Sequence, residues 1–134
     1  MNHSARETIL IMDDEEMNRA ILSNIFSGEY DILEAEDGQS GLSILHRSQD
    51  TIRAVLLDVI MPRLNGIEVL RQLYQQGLTE KIPVFLITAD MGSATMREAY
   101  ELGVMDVIFK PVVPYVVRKR VNSIMELFRA RHKL

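Results

Sequence analysis

The chain has 134 residues, 47% of them hydrophobic and 25% charged, with a formal net charge of −4. That is the size and balance of one globular domain and excludes a disordered chain. The absence of cysteine excludes disulfide staples, thiolate metal sites and cysteine nucleophiles. The apolar runs Thr8–Met12 and Val84–Ile87 fall far short of the ~20 residues that cross a bilayer, and residues 1–7 lack the apolar core of a signal peptide. The sequence therefore reads as a cytoplasmic single domain with no membrane segment.

Thr8–Met12 is predicted as a buried strand, closed by the acidic run Asp13 to Glu16. Met17, Ile21 and Ile25 follow at four-residue spacing, the apolar face of a helix that stops near Gly28. Tyr30–Ala35 is a second strand, interrupted by acids, and after the Asp37-Gly38 turn Leu42 and Leu45 mark a second helix. Ala54–Leu57 is a third strand running into Asp58. Ile67, Leu70, Leu73 and Tyr74 give a third helix between Gly66 and Gly77. Pro83–Ile87 is a fourth strand that opens onto Thr88-Ala89-Asp90, and a helix follows from about Ser93 to Leu102. Val107–Phe109 is a short fifth strand meeting Lys110. The last helix runs over about 114–132, with Val117, Val121, Ile124 and Phe128 as its stripe.

Strands alternating with helices, the strands almost continuously apolar, predict an α/β domain: a doubly wound parallel sheet with helices on both faces. Such a sheet places its functional loops at the carboxyl ends of the strands. Charge is unevenly spread: residues 1–109 hold 8 basic and 18 acidic side chains, residues 110–134 hold 7 and 1. The basic residues of the last helix (Arg118, Lys119, Arg120, Arg129, Arg131 and Lys133) read as a solvated face with cations at a helix C-terminus. No aromatic interleaving or recognition-helix pattern supports direct nucleic-acid binding. The apolar spacing of that helix also fits a helical connector or a paired helix.

The acidic positions fall in one place. Asp13 and Asp14 follow the first strand and Asp58 the third, so neighbouring strands would bring them together. Packed carboxylates repel unless a cation compensates, and an oxygen-only cluster suits Mg²⁺. Thr88 and Lys110, at the ends of the fourth and fifth strands, add a hydroxyl and an ammonium to the same rim. A carboxylate nucleophile, a divalent metal, a hydroxyl and a lysine are the parts that phosphoryl transfer needs. Taken singly, each has an ordinary explanation: a turn former or helix cap for an aspartate or threonine, a solvated charge for the lysine. Glu15 and Glu16 read as first-turn partners of the helix dipole. His3, His46 and His132 are scattered and read as solvated surface residues.

These residues resemble the receiver domain of two-component response regulators, the CheY-like family, over about residues 7–128. The matching motifs are Asp13-Asp14, Leu57-Asp58-Val59-Ile60-Met61-Pro62 with Gly66, Thr88-Ala89 and Lys110-Pro111. The resemblance implies a five-stranded sheet in the order 2-1-3-4-5. It implies Asp58 as phosphoacceptor; Mg²⁺ or Mn²⁺ on Asp13, Asp14, Asp58 and the backbone carbonyl of Ile60; Thr88 on a phosphoryl oxygen; and Lys110 beside the phosphoryl group. The donor would be a sensor histidine kinase or a phosphotransfer protein, and the output an effector domain or partner protein. The implied enzymology is limited to the domain's own phosphorylation and dephosphorylation. The family often has a cis bond before the proline matched by Pro111. It also often pairs through its last helices, so a homodimer is a further expectation. The segment from Val107 to Val121 looks like receivers that precede cyclic-dinucleotide cyclases or phosphodiesterases.

Two features sharpen or unsettle the match. Val107 stands where the family usually has a switching aromatic, and by strand alternation Phe109 shares its face. Readout by loop and helix shifts near Thr88, with no rotamer exchange at position 107, is therefore expected. Ile60 and Asp90 occupy the positions that tune hydrolysis, which implies a phosphorylated state of intermediate lifetime. Met61-Pro62 fits a sharply turning loop or a plain helix start equally well. Two rivals remain: a degenerate receiver that binds without phosphorylation, and an Asp-nucleophile phosphatase-like hydrolase. The second would need an acid where Ile60 stands.

Overall fold

The computed structural model describes residues 6–131 except residue 90; the expectations for His3, Asp90, His132 and Lys133 lie outside the described residues. The elements alternate as β1 (Thr8–Met12), α1 (Glu16–Phe26), β2 (Asp31–Ala35), α2 (Gly38–Ser48), β3 (Ile52–Leu57), α3 (Gly66–Gln75), a short 3₁₀ turn (Leu78–Glu80), β4 (Val84–Thr88), α4 (Ser93–Glu101), β5 (Asp106–Phe109) and α5 (Pro114–Arg131). All strand pairs are parallel and the order is β2-β1-β3-β4-β5. The strand order reverses between β1 and β3, and there the carboxyl ends open a crevice.

Strand residues alternate between two cores. Leu10, Met12, Val55, Leu57, Val84, Leu86 and Val107 pack with Leu42, Leu45, Leu70, Leu73 and Ala99, beneath α2, α3 and α4. Ile9, Ile11, Leu56, Phe85, Ile87 and Ile108 pack with Leu22, Ile25, Phe26, Val117, Val121 and Met125, beneath α1 and α5. Cover on both faces is why the strands read as unbroken apolar runs. Phe85 is fully buried at the centre of the second core, where truncation to alanine would cost about 3–5 kcal/mol.

Two helical faces differ from expectation. On α1 the buried residues are Leu22, Ile25 and Phe26, whereas Met17 is 73% exposed and Ile21 is exposed too. Steps of four residues advance about 40° around a 3.6-residue helix, so the run 17-21-25 drifts across the helix surface and reaches the buried face only at Ile25, beside Leu22 and Phe26. On α5 the inner stripe is Val117, Val121, Met125 and Phe128, with Met125 taking the place expected for Ile124, which is only half-buried. The fifth strand buries Val107, in register with Leu86. Phe109 lies beside Thr88 at the strand's end and remains 44% exposed, because the helices cover the middle of the sheet better than its rim.

Candidate phosphoryl-acceptor site

β1 and β3 are neighbours, and the Asp58 N–H donates to the Met12 carbonyl at 2.9 Å, tying the two strand ends together. One carboxylate oxygen from each of Asp13, Asp14 and Asp58 lies within 4.8 Å of the others. Asp13 and Asp58 are buried and Asp14 is exposed. Lys110, carried on the end of β5, donates from Nζ to Asp13 Oδ2 at 2.9 Å and lies 3.5 Å from Asp58 Oδ2. Its backbone N–H reaches the Thr88 carbonyl at 2.8 Å, and Thr88 is fully buried at the end of β4. The bond from Lys110 to Pro111 is cis. A cavity of about 280 Å³ is lined by Asp14, Glu15, Asp58, Ile60, Thr88, Ala89 and Lys110. All six residues singled out from the sequence therefore converge at one place, Ile60 as a lining residue that is itself 71% exposed.

The electrostatics follow from the crowding. Burial raises the Asp58 pKa above the ordinary aspartate value, and the neighbouring Asp13 charge raises it further; Lys110 and the N–H groups of Ile60 and Val59 pull the other way without cancelling the rise. Burial works against the Lys110 ammonium, but its hydrogen bond to Asp13 and the Asp58 and Asp13 charges outweigh that, and its pKa is raised. Three carboxylates against one ammonium leave the crevice negative. An all-oxygen donor set with that surplus fits a hard divalent cation, so the carboxylates of Asp13, Asp14 and Asp58 are chemically suited to hold Mg²⁺.

The ordinary explanations also hold in part. Asp13 Oδ1 accepts the Glu15 N–H at 2.9 Å, a side-chain turn of the kind aspartate forms after a strand, which leaves Oδ2 for Lys110. Glu15 is the residue preceding α1, rather than part of its first turn, and its carboxylate accepts from Asn18 at 2.5 Å. Pro62 does not start a helix: α3 begins at Gly66, capped by Asn65 and Glu68 in a reciprocal capping box. Gly66 is required by packing, since a Cβ there would come within 2.2 Å of the Asp58 carbonyl. Arg63, within this loop, donates to buried Asp37 at 2.6 Å, a pairing the sequence does not signal. Asp37 carries only its cap signature, three residues before Ser40, which does not show its burial.

Comparison with known proteins agrees with this geometry. The family described as "Response regulator receiver domain" matches residues 9–122. A "Probable cyclic di-GMP phosphodiesterase" of Vibrio cholerae is 36% identical over 124 residues, which are 92% of this chain and 28% of that protein. The chain thus spans under a third of that relative's length, but 95% of the chemotaxis protein CheY1 of Helicobacter pylori, to which it is 30% identical over 119 residues, or 87% of this chain. Among solved structures, the CheX-CheY-BeF3-Mg complex of Borrelia burgdorferi matches with a TM-score of 0.82 and 25% identity, covering 90% of each chain. Among the described residues no helix is long and apolar enough to cross a membrane.

Proposed function

The chain belongs to the response regulator receiver domain family of two-component systems, and from that premise we propose that it accepts a phosphoryl group on Asp58 and passes the change to a partner or effector. The observation that supports this best is the convergence of Asp13, Asp14 and Asp58 with one ammonium, Lys110, in an open crevice. The donor class is a phosphohistidine on a sensor kinase or phosphotransfer protein. An Asp58 carboxylate oxygen attacks phosphorus, the P–N bond breaks, and the histidine nitrogen leaves with the electron pair and is protonated. Lys110 stays beside the acceptor oxygen and offsets charge developing on the phosphoryl oxygens, and the Thr88 hydroxyl donates to one of them once transfer is complete. Asp13, Asp14, Asp58 and the Ile60 carbonyl would hold Mg²⁺, which when bound would supply the remaining positive charge. The Ile60 side chain cannot act as an acid, which disfavours the phosphatase-like alternative.

The output is a shift in the population of two conformations, carried by loop and helix movement around Thr88 because Val107 has no ring to reorient. Exposed Tyr115, Val116 and Leu127 on α5 support pairing of two copies through the last helices. The Vibrio cholerae relative supports a link to cyclic-dinucleotide turnover. The test of the reading is intact mass after incubation with Mg²⁺ and a small phosphodonor such as acetyl phosphate. The wild-type chain is expected to gain one phosphoryl group and Asp58→Asn none. No gain in a wild-type chain that binds Mg²⁺ would indicate a module that binds without phosphorylation.

A further inference from the structure

Arg63 is the one residue other than glycine with positive φ among the described residues, at 68°. The Leu64 N–H donates to the Pro62 carbonyl at 2.7 Å. Residues 62–64 thus form a three-residue turn of the γ class whose central φ lies near about +75°, a rare and strained form. Glycine and asparagine enter that region at least cost, and arginine has no intrinsic preference for it. What arginine adds is its guanidinium: Nε and Nη2 donate to Asp37 Oδ2 at 3.0 and 2.6 Å. Asp37 is fixed on its own account, 1% exposed, with Oδ1 accepting the Ser40 N–H at 2.8 Å as the cap of α2. The Leu64 carbonyl seats against Gly38, where a Cβ would stand 2.2 Å from it, so the turn also rests directly on the start of α2.

This turn closes the segment that begins at Asp58. The Gly66 N–H returns to the Val59 carbonyl at 2.7 Å, and Gly66 lies so close to the acceptor backbone that a Cβ there would stand 2.2 Å from the Asp58 carbonyl oxygen. A chain of bonded groups therefore runs from buried Asp37 through Arg63 and the strained turn to the backbone around the acceptor. Strain of this kind persists only where surrounding contacts hold it, and an observed outlier beside a reactive group points to a positioning role.

We propose that Arg63 is a positioning residue for the acceptor segment: its ion pair with Asp37 holds the strained turn at 62–64, and through it the Val59 and Ile60 backbone, against Asp58. The inference rests on the reading of Asp58 as phosphoacceptor. Neither Arg63 nor Asp37 lines the acceptor crevice, so the effect of the pair is on how well the Val59 and Ile60 backbone is placed.

The experiment uses the full chain as wild type, Arg63→Ala, Arg63→Gly and Arg63→Lys. Mg²⁺ affinity is read by calorimetry, amide exchange over residues 59–66 by mass spectrometry, urea midpoint by circular dichroism, and phosphoryl gain by intact mass. Arg63→Ala keeps the strained φ and loses the pair; Arg63→Gly loses the pair and relieves the strain. Both are expected to weaken Mg²⁺ binding about tenfold, the low end for losing a group that supports metal ligands, and to speed exchange over 59–66. The glycine variant is expected to do so at a urea midpoint above that of the alanine variant. Arg63→Lys, which keeps the charge but puts its donors on a single nitrogen in place of the Nε/Nη2 fork, is expected to fall between wild type and alanine. Wild-type affinity and exchange in Arg63→Gly, with normal phosphoryl gain in the wild type, would overturn the inference alone. A wild-type chain that gains no phosphoryl group and binds no Mg²⁺ would overturn the acceptor reading and the inference with it.

Discussion

The two ends of the sheet handle charge in opposite ways. At the amino end, Glu7 accepts from Arg129 Nη2 at 2.7 Å and from Arg129 Nε at 3.0 Å, and it faces Arg53 at 3.9 Å. The carboxylate there is outnumbered, and its hydrogen bond, working against burial, raises the Arg129 pKa. At the carboxyl end, three carboxylates share one ammonium, and the Asp58 pKa is raised rather than lowered. The first arrangement is complete in the folded chain. The second is short of positive charge, and the burial of Asp13 and Asp58 limits how far water screens the deficit. Residual repulsion at these strand ends is what a cation can relieve, so the proposed function sits where the fold leaves its charges unbalanced.

Removing Lys110 strikes that imbalance hardest. Lys110→Ala is expected to lower the rate of phosphoryl gain by about 10²-fold or more, the usual cost of deleting one charge-stabilising donor. It is also expected to destabilise the fold by about 3 kcal/mol, because Asp13 and Asp58 then face each other without it. Urea unfolding and timed intact-mass measurements check both.

A smaller effect separates two aspartates at the same end. Asp58 has a raised pKa, so ionising it costs the folded state: stability falls as pH rises from the ordinary value of 3.8 through the folded pKa. Asp37 has a lowered pKa, held down by the Ser40 N–H and then by Arg63, so its contribution is present above 3.8 and is lost as pH falls through the folded value. Without Mg²⁺, the stability advantage of Asp58→Asn over wild type is therefore expected to grow with rising pH. The deficit of Asp37→Asn is expected to shrink as pH drops below that value. Stability curves of the three chains against pH, taken from urea midpoints, would show the opposite slopes.

The least effect is expected at the amino end. Glu7→Gln should cost no more than about 1 kcal/mol, since its partners are substantially exposed, and should leave Mg²⁺ affinity unchanged. A large loss of Mg²⁺ binding in that variant would break the distinction between the two ends.

Much of this was legible in the sequence because the same pattern determines the fold and the crevice. Apolar runs placed the strands, and the strands placed Asp13, Asp58, Thr88 and Lys110 at one edge. The errors have a common cause: periodicity locates a helix but not its rotation about its axis. Met17 and Ile21 keep helical spacing yet face outward on α1, and Ile124 yields to Met125 on α5. Strand alternation likewise put Phe109 on the Val107 face but could not show that the rim lacks cover. The pairing of Arg63 with Asp37 spans 26 residues, and an arginine at a position of positive φ, where glycine or asparagine would be the usual sign, gives no hint of the turn.

The most direct test of the charge imbalance is a cycle of urea unfolding on wild type and Asp58→Asn, each with and without Mg²⁺, at neutral pH. Without Mg²⁺, Asp58→Asn should be the more stable chain, because it removes a buried charge facing Asp13. At about 100 times its Kd, Mg²⁺ should add about 2.7 kcal/mol to wild type and much less to the variant, closing the gap. Equal stability of the two chains without the metal, and an equal gain with it, would contradict the claim that Asp58 carries the uncompensated charge.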